Sequence, residues 1–305
     1  MIMKRREFLS RAAAGGAILT LPAFLQGCGT QLASIVKEPP PENPFLTFFD
    51  IDESTVTQVM SALTSNGADI ADAYFQHSRT STLALQDGVI ANGGSDIQQG
   101  VGLRVVSGDQ AGFAFTEDLT LPAMLATAQT ASNSAAGMAA RVPDSRQFLP
   151  VGDLYPIPVP WSDIAAEARV AILQSVDQKA RAADPSIESV TVNWEDADER
   201  VMIATLDGNM VTDHRPMTRL TLVVTASREG STQTGFSSIA ARAGIDWYSE
   251  ERLALLVDEA VSRTLVQFDA RRAPSGDMPV ILAAGTSGVI LHEAVGHSLE
   301  ADFIR

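Results

Sequence analysis

Cysteine is almost absent from this chain. Cys28 is the only cysteine among 305 residues. A single thiol excludes a disulfide framework within the chain, and it also excludes a metal site of the Cys-x-x-Cys type. The sequence must therefore rely on other side chains for any metal chemistry it carries.

Basic residues are also scarce. The chain has 22 Lys and Arg residues against 37 Asp and Glu, which gives a net charge of −15 and a pI near 4.6. This balance argues against nucleic acid as a partner, because no basic patch is available to neutralise phosphates. Hydrophobic residues make up 45% of the chain, which rules out a disordered protein, and the length suits about two domains.

No apolar run is long enough to span a membrane. The mostly apolar stretch 12–25 has about fourteen residues, whereas a membrane helix needs about twenty. It follows a basic start with Arg5 and Arg6, and the segment 5–9 (RREFL) resembles the twin-arginine signal that exports folded proteins. Residues 1–28 are therefore interpreted as an export signal, which predicts a periplasmic or cell-surface protein.

The export segment ends at the single cysteine. Residues 25–28 (LQGC) resemble a lipobox, in which Cys28 would be lipidated and become the new amino terminus. The alternative is that Cys28 is a plain apolar residue near an ordinary cleavage site. Contact with a membrane is expected only through this lipid anchor, and the proline-rich segment 29–48 is interpreted as a stiff, extended tether.

The body of the chain alternates between helical and strand patterns, with turn signals such as Asp87-Gly88. It predicts an α+β fold of antiparallel hairpins and sheets with packed helices. A proline-rich linker at 142–160 separates two α/β subdomains, 49–141 and 161–272, that share an order of elements. Helices are predicted at 51–65, 119–138, 161–183 and 248–272, and strands at 71–76, 81–86, 89–92, 100–106, 111–116, 187–194, 200–206, 210–214 and 220–228.

The last segment, 273–305, is predicted to begin a β-rich domain that carries a metal site and is truncated at Arg305. Its apolar run 278–284 has the length and flanking residues of a buried strand, and the turn 285–288 leads into a helix. Two of the four histidines of the chain lie in this helix.

These histidines form the pattern His-Glu-x-x-x-His, with His292, Glu293 and His297. Neutral imidazoles bind Zn²⁺, and a carboxylate beside them can act as a general base. Positions i and i+5 diverge by about 140° on a regular α-helix, so a shared ion requires a bulge or a helix end near Gly296. The alternative is a buried helix end whose histidines are satisfied by backbone groups.

Other polar residues are weaker candidates. Glu300 and Asp302 follow the second histidine, and Glu300 lies one helical turn after it, so it is a candidate metal ligand or a partner that orients the imidazole. Solvated acids at a helix end are the alternative. His77 and His214 are predicted to be surface or hydrogen-bonded histidines.

The run 273–303 (APSGDMPVILAAGTSGVILHEAVGHSLEADF) resembles the TldD/PmbA family of metallopeptidases, on its TldD side. The resemblance implies that His292 and His297 are zinc ligands and that Glu293 is the general base. It also implies a third ligand, a cysteine, which is expected beyond residue 305. Unfolded or modified peptides are the implied substrates, and a metal-free homologous subunit of the PmbA (TldE) type is the implied partner.

The sequence thus predicts an exported zinc-dependent peptidase, with two rival functions. One rival is a non-catalytic partner or assembly subunit of a two-subunit complex, although Glu293 has no purpose in such a partner. The other is an inactive truncated fragment, because two histidines alone are one ligand short of a catalytic zinc site.

Overall fold

The computed structural model describes residues 44–135, 146–149, 152, 154–285 and 287–301. Arg5, Arg6 and Cys28 lie outside the described residues, together with the rest of the predicted export signal and the tether up to residue 43. The predictions of export and of lipidation therefore stay predictions.

Long antiparallel strands dominate the described chain. The strands are β1 Ile70–Gln86, β2 Val89–Ser107, β3 Gln110–Thr116, β4 Gln147–Phe148, β5 Ile187–Thr205, β6 Asn209–Arg228 and β7 Ser231–Ala241. The helices are α1 Pro44–Phe49, α2 Glu53–Leu63, α3 Leu121–Ser134, α4 Ala166–Ala183, α5 Glu250–Leu265 and α6 Ser287–Leu291. Turns of 3-10 helix occur at Trp161–Asp163, Ile245–Trp247, Val266–Asp269 and His297–Leu299, and a π-helical turn occurs at His292–Gly296.

All seven strands join one sheet. The order is β3-β2-β1-β5-β6, and β4 and β7 pair with different parts of β6. Every pairing is antiparallel except that of β4 with β6. The turn between β1 and β2 has positive φ at Asp87 (51°) and Gly88 (82°), as a two-residue hairpin turn requires. The predicted α+β class is confirmed.

The strands are longer than the sequence pattern predicted. The predicted strands 71–76 and 81–86 are both parts of β1, and 89–92 and 100–106 are both parts of β2. Likewise, β5 and β6 each unite two predicted strands, and β7 was not predicted. Polar residues interrupt the apolar alternation within each long strand, but the neighbouring strands supply backbone hydrogen bonds throughout, so pairing continues where the side-chain pattern fails.

Two hydrophobic clusters lie on one face of the sheet. The buried residues of β1, β5 and β6 alternate with the same parity in both clusters, which places both on the same side. Helices α1, α2 and α3 cover the first cluster, and α4 and α5 cover the second. No helix in the described ranges combines the length and apolar character needed to cross a membrane.

The two halves of the sheet repeat one arrangement. Helix α2, strands β1 to β3 and helix α3 follow the same order as helix α4, strands β5 to β7 and helix α5. Strands β1 and β5 are neighbours at the centre, so the order outward is β1-β2-β3 on one side and β5-β6-β7 on the other. The repeat of element order seen in the sequence is thus also a repeat in space.

Two segments differ from their predictions. Residues 44–48, at the end of the predicted tether, belong to helix α1, because the ring of Phe45 is buried 5.7 Å from that of Phe75. The predicted buried strand 278–284 is wrong: it forms no strand, and the side chains of Val280 and Ile281 are 74% and 93% exposed. Among the described residues, no strand lies beside this segment to pair with it.

Candidate metal centre

The metal motif begins in helix α6 and continues through a π-helical turn. Helix α6 ends at Leu291, and the π-turn occupies His292–Gly296. The backbone N–H of His297 donates a hydrogen bond to the carbonyl of His292, which is the i→i+5 bond of a π-helix. The local departure from α geometry that the spacing of the histidines requires is therefore present between these two residues.

The π-turn brings the two imidazoles together. Their ring centroids are 4.6 Å apart, with an angle of 68° between the ring planes. Gly296 makes room for this arrangement, because a Cβ atom there would lie 3.1 Å from Nδ1 of His292. One potential ligand atom from each of His292, Glu293 and His297 lies within 4.8 Å of the other two.

Two carboxylates flank the second histidine. Nδ1 of His297 lies 2.6 Å from Oε1 of Glu300, and its Nε2 lies 3.4 Å from Oε2 of Glu293. Glu300 thus contacts the nitrogen that faces away from Glu293, which fixes the plane of the ring. Asp302 lies outside the described residues.

The donor atoms fit a divalent metal ion of the zinc type. Imidazole nitrogens and carboxylate oxygens are common donors to zinc, and these three residues offer one such atom each within 4.8 Å. The site is open to solvent, since the side chains of Glu293 and His297 are 62% and 51% exposed. The described residues supply two imidazole ligands and no thiolate.

The other two histidines belong to the sheet and not to this motif. His77 of β1 lies against the rings of Phe48 and Phe49, with centroid distances of 5.8 and 5.5 Å, and burial lowers its pKa. Nε2 of His214 lies 2.5 Å from Oδ1 of Asp198. His214 is hydrogen-bonded, as the sequence predicted, whereas His77 is a half-buried residue that packs against aromatic rings.

A buried ion pair in the sheet was missed by the sequence analysis. Arg169 of α4 binds both carboxylate oxygens of Asp196 in β5, at 2.7 and 3.1 Å, and Nε1 of Trp194 donates to the same carboxylate. A signal for it exists in the sequence, because Asp196 and Asp198 continue the buried parity of Val192 and Trp194 along β5.

Two sequence models of one metallopeptidase family match the chain. Residues 71–135 match the PmbA/TldA metallopeptidase domain 1, and residues 159–268 match the PmbA/TldA metallopeptidase central domain. Together the two matched ranges cover more than half of the chain.

Curated relatives carry the same family name. The metalloprotease TldD homolog of Haemophilus influenzae is 34% identical over 270 residues, which cover 86% of this chain and 56% of the relative. The metalloprotease TldD homolog of Buchnera aphidicola subsp. Schizaphis graminum is 29% identical over 275 residues, which cover 85% of this chain and 55% of the relative. The chain thus spans slightly more than half of the length of these relatives.

Solved structures share the fold. A putative modulator of a DNA gyrase from Thermotoga maritima aligns with a TM-score of 0.58 at 15% identity, over 73% of this chain and 50% of that one. TldE from Thermococcus kodakarensis aligns with a TM-score of 0.52 at 13% identity, over 68% and 46%. The domain matches and the named relatives lead to one conclusion: the chain belongs to the PmbA/TldD family of metallopeptidases and carries its first and central domains.

Proposed function

We propose that the chain acts in a zinc-dependent peptidase that hydrolyses peptide bonds of unfolded or modified peptides. The observation that supports it best is the π-turn, which gathers two imidazoles and a carboxylate within 4.8 Å. In this proposal His292 and His297 are the zinc ligands and Glu293 is the general base. A cysteine is expected as the third ligand, from the resemblance of the motif to the family.

The residues of the motif divide the work between them. Zinc, when bound, supplies a Lewis acid that polarises a carbonyl and acidifies a water molecule. Glu293 accepts the proton of the attacking water and returns it to the leaving amine. Glu300 accepts a hydrogen bond from Nδ1–H of His297, which leaves Nε2 as the donor atom for the metal.

The first experiment measures zinc content and peptidase activity of the same preparations. We expect His292→Ala and His297→Ala to lose the metal and the activity together. Glu293→Gln should keep the metal and lose at least about 100-fold in rate, because it removes only the general base. His77→Ala is the control, since His77 lies on the sheet and should leave zinc content unchanged.

Zinc that persists in both histidine variants would refute the assignment of the ligands. The rival function, a non-catalytic partner subunit, has one observation in its favour: the metal motif offers only two histidines, at a site open to solvent. It predicts a preparation without zinc that still binds a homologous subunit.

We further infer that the protein assembles with a homologous TldD/PmbA-type subunit and is exported by the twin-arginine route, with Cys28 as its lipid anchor. Similarity to both TldD homologs and TldE supports the first inference, and the RREFL and LQGC segments support the second. Replacing Arg5 and Arg6 by Lys should abolish export, and Cys28→Ser should release the protein from membranes in fractionation. Undiminished export of the double-Lys variant would refute the route.

A further inference from the structure

One edge of the sheet is only half paired. Strand β3 pairs with β2 over Val101–Ser107, whereas the first part of β2, residues 89–100, has β1 on one side and no described strand on the other. We call residues 89–100 the free edge. Its side chains are solvent-exposed up to Gln98 and half-buried only at its last two residues.

The backbone direction along the free edge follows from its neighbours. The N–H of Leu206 donates a hydrogen bond to the carbonyl of Ala71. The backbone N–H and C=O groups of odd-numbered residues in β1 are therefore directed toward β5, and those of even-numbered residues toward β2. The antiparallel register pairs even residues of β1 with even residues of β2 over 92–106. The odd residues of the free edge, including Ser95 and Gln99, therefore direct their N–H and C=O groups outward.

Within the part of the chain that the structure describes, the free edge lacks the usual protection against strand pairing. Natural edge strands are guarded by lysine, proline, bulges or covering elements. Residues 89–100 (VIANGGSDIQQG) contain no lysine, arginine or proline, and Asp96 is their only charge. Their one irregularity lies close to the hairpin turn, where the register shifts between Ala84 and Leu85.

The second half of the molecule shows a strand in the equivalent place. Strand β6 follows its hairpin turn as β2 does, and β7 pairs only with its later part, from Thr218 onward. The start of β6 is paired by β4, which runs beside Asn209 and Met210. The repeated fold thus accepts an added strand at the position where β2 has none.

A groove adjoins the point where the free edge ends. It has a volume of about 870 Å³, and its lining includes Tyr74, Gly102, Phe115 and the two acidic residues Glu117 and Asp118. A strand added to the free edge would lie in line with β3 and would send side chains from its end into this groove. The carboxylates of Glu117 and Asp118 are complementary to a basic side chain or a free amino terminus.

We propose that the free edge binds an extended peptide by strand addition and serves as a substrate-docking site that shares no residue with the metal motif. Hydrogen bonds to the backbone are indifferent to side-chain identity, which suits a peptidase for unfolded peptides. The choice of a substrate peptide as the occupant rests on the proposed function. The docking site itself requires neither zinc nor Glu293.

The test removes outward backbone donors and leaves the rest of the edge intact. In the double variant Ser95→Pro/Gln99→Pro two outward N–H groups are lost, and proline is tolerated at edge positions whose N–H faces solvent. The matched control Ser95→Ala/Gln99→Ala loses the same side chains, including the 3.4 Å contact of Ser95 Oγ with Arg79, and keeps both donors. Circular dichroism verifies that both variants are folded.

The probe is a fluorescein-labelled, capped peptide of alternating valine and threonine, as long as the free edge, measured by anisotropy with the 305-residue chain in the presence of a chelator. We expect saturable binding that the proline variant weakens about tenfold or more and that the alanine variant retains, since each lost hydrogen bond contributes modestly. The same peptide with alternate N-methylated residues should not bind.

Equal affinities of the proline and alanine variants would overturn the proposal. So would a concentration-dependent dimer of the unaltered chain that the proline variant abolishes, because the occupant would then be a second copy. Since the chelator removes any metal, a failure of the zinc peptidase proposal appears separately, as missing zinc or missing hydrolysis with peptide binding intact.

Discussion

Charged side chains are buried where the two hydrophobic clusters of the sheet meet. Asp196 is 2% exposed and Arg169 is 6% exposed, and Asp198 beside them is 7% exposed. Each carboxylate has a partner, because a buried charge without one would cost several kcal/mol. Asp196 binds Arg169, and Asp198 accepts a hydrogen bond from His214.

Asp198 should make stability depend on pH. Burial alone raises its pKa, but the hydrogen bond and charge of His214, together with Arg200, lower it more, and the net pKa is below the ordinary value. The unfolded chain therefore binds this proton first, so the stabilisation is complete above about pH 4 and is lost as pH falls through the folded pKa. Asp198→Asn should cost about 1–2 kcal/mol at pH 7 and less at pH 3, measured by urea unfolding.

The exposed Asp96 of β2 provides the comparison. Asp96→Asn should leave the urea midpoint unchanged at both pH values, because surface substitutions rarely exceed about 0.5 kcal/mol. A loss for Asp198→Asn that stays the same at pH 3 would contradict the assigned role of the charge.

Single residues differ in how far the sequence reveals their roles. His292, Glu293 and His297 stand out because their types and spacing suit a metal site, and even the need for a bulge follows from helix geometry. The pairing of Arg169 with Asp196 is not visible in the same way. It joins residues on separate elements, and the sequence alone cannot say which arginine meets which aspartate.

At the scale of elements, two glycines let helices approach the sheet closely. A Cβ atom on Gly112 of β3 would overlap the carbonyl oxygen of Ala131 in α3. In the other half, a Cβ atom on Gly235 of β7 would lie 2.6 Å from Oγ1 and 2.8 Å from N of Thr264 in α5. At each of these glycines, the backbone of the outer strand is therefore in direct contact with the helix that covers it.

Adding a methyl group at either glycine should push the helix away from the sheet. We expect Gly112→Ala and Gly235→Ala each to lower the free energy of unfolding by about 3 kcal/mol. The added methyl group would clash with backbone atoms, which cannot move aside as the end of a flexible side chain can. The control is Gly94→Ala in β2, where the nearest atom is 3.6 Å away and the change should stay within about 1 kcal/mol. Similar losses at all three positions in thermal unfolding would contradict the explanation.

Elements were predicted well where local chemistry decides them. The Asp87-Gly88 turn was predicted because only a few residues accept its backbone angles. Helix α2 begins at Glu53, directly after Asp52, whose carboxylate caps the helix by accepting the N–H of Thr55 at 2.7 Å. Strand ends were predicted poorly, since neighbouring strands set them. Residues 278–284 have an apolar pattern that suits a strand, but they form none, because no strand among the described residues pairs with them.

At the scale of the whole molecule, the two hydrophobic clusters share the strands β1 and β5. Phe75 and Leu85 of β1 belong to different clusters, as do Met202 and Trp194 of β5. Unfolding of β1 or β5 would therefore disrupt both clusters at once. The described chain from residue 44 to 272 should therefore unfold as one cooperative unit.

The tryptophans make this testable, because all three lie in or against the second cluster. Leu63→Ala removes side-chain atoms from the first cluster only, and it should lower the stability of the protein by about 2–5 kcal/mol. If the protein unfolds as one unit, the urea midpoint should fall equally whether unfolding is followed by tryptophan fluorescence or by circular dichroism. Leu222→Ala in the second cluster is the matched variant. If Leu63→Ala left the urea midpoint of the fluorescence transition unchanged, the two halves would unfold independently.

The π-turn between the two histidines holds one residue more than an α-helical turn. Deleting a single residue such as Ala294 would restore a regular helix and place the histidines at i and i+4, the spacing of the common His-Glu-x-x-His zinc helix. One insertion or deletion therefore interconverts the two spacings and, with them, the form of the helix. The spacing of the histidines and the geometry of the helix between them are coupled, because a change in one requires a change in the other if both imidazoles are to stay on one side of the helix.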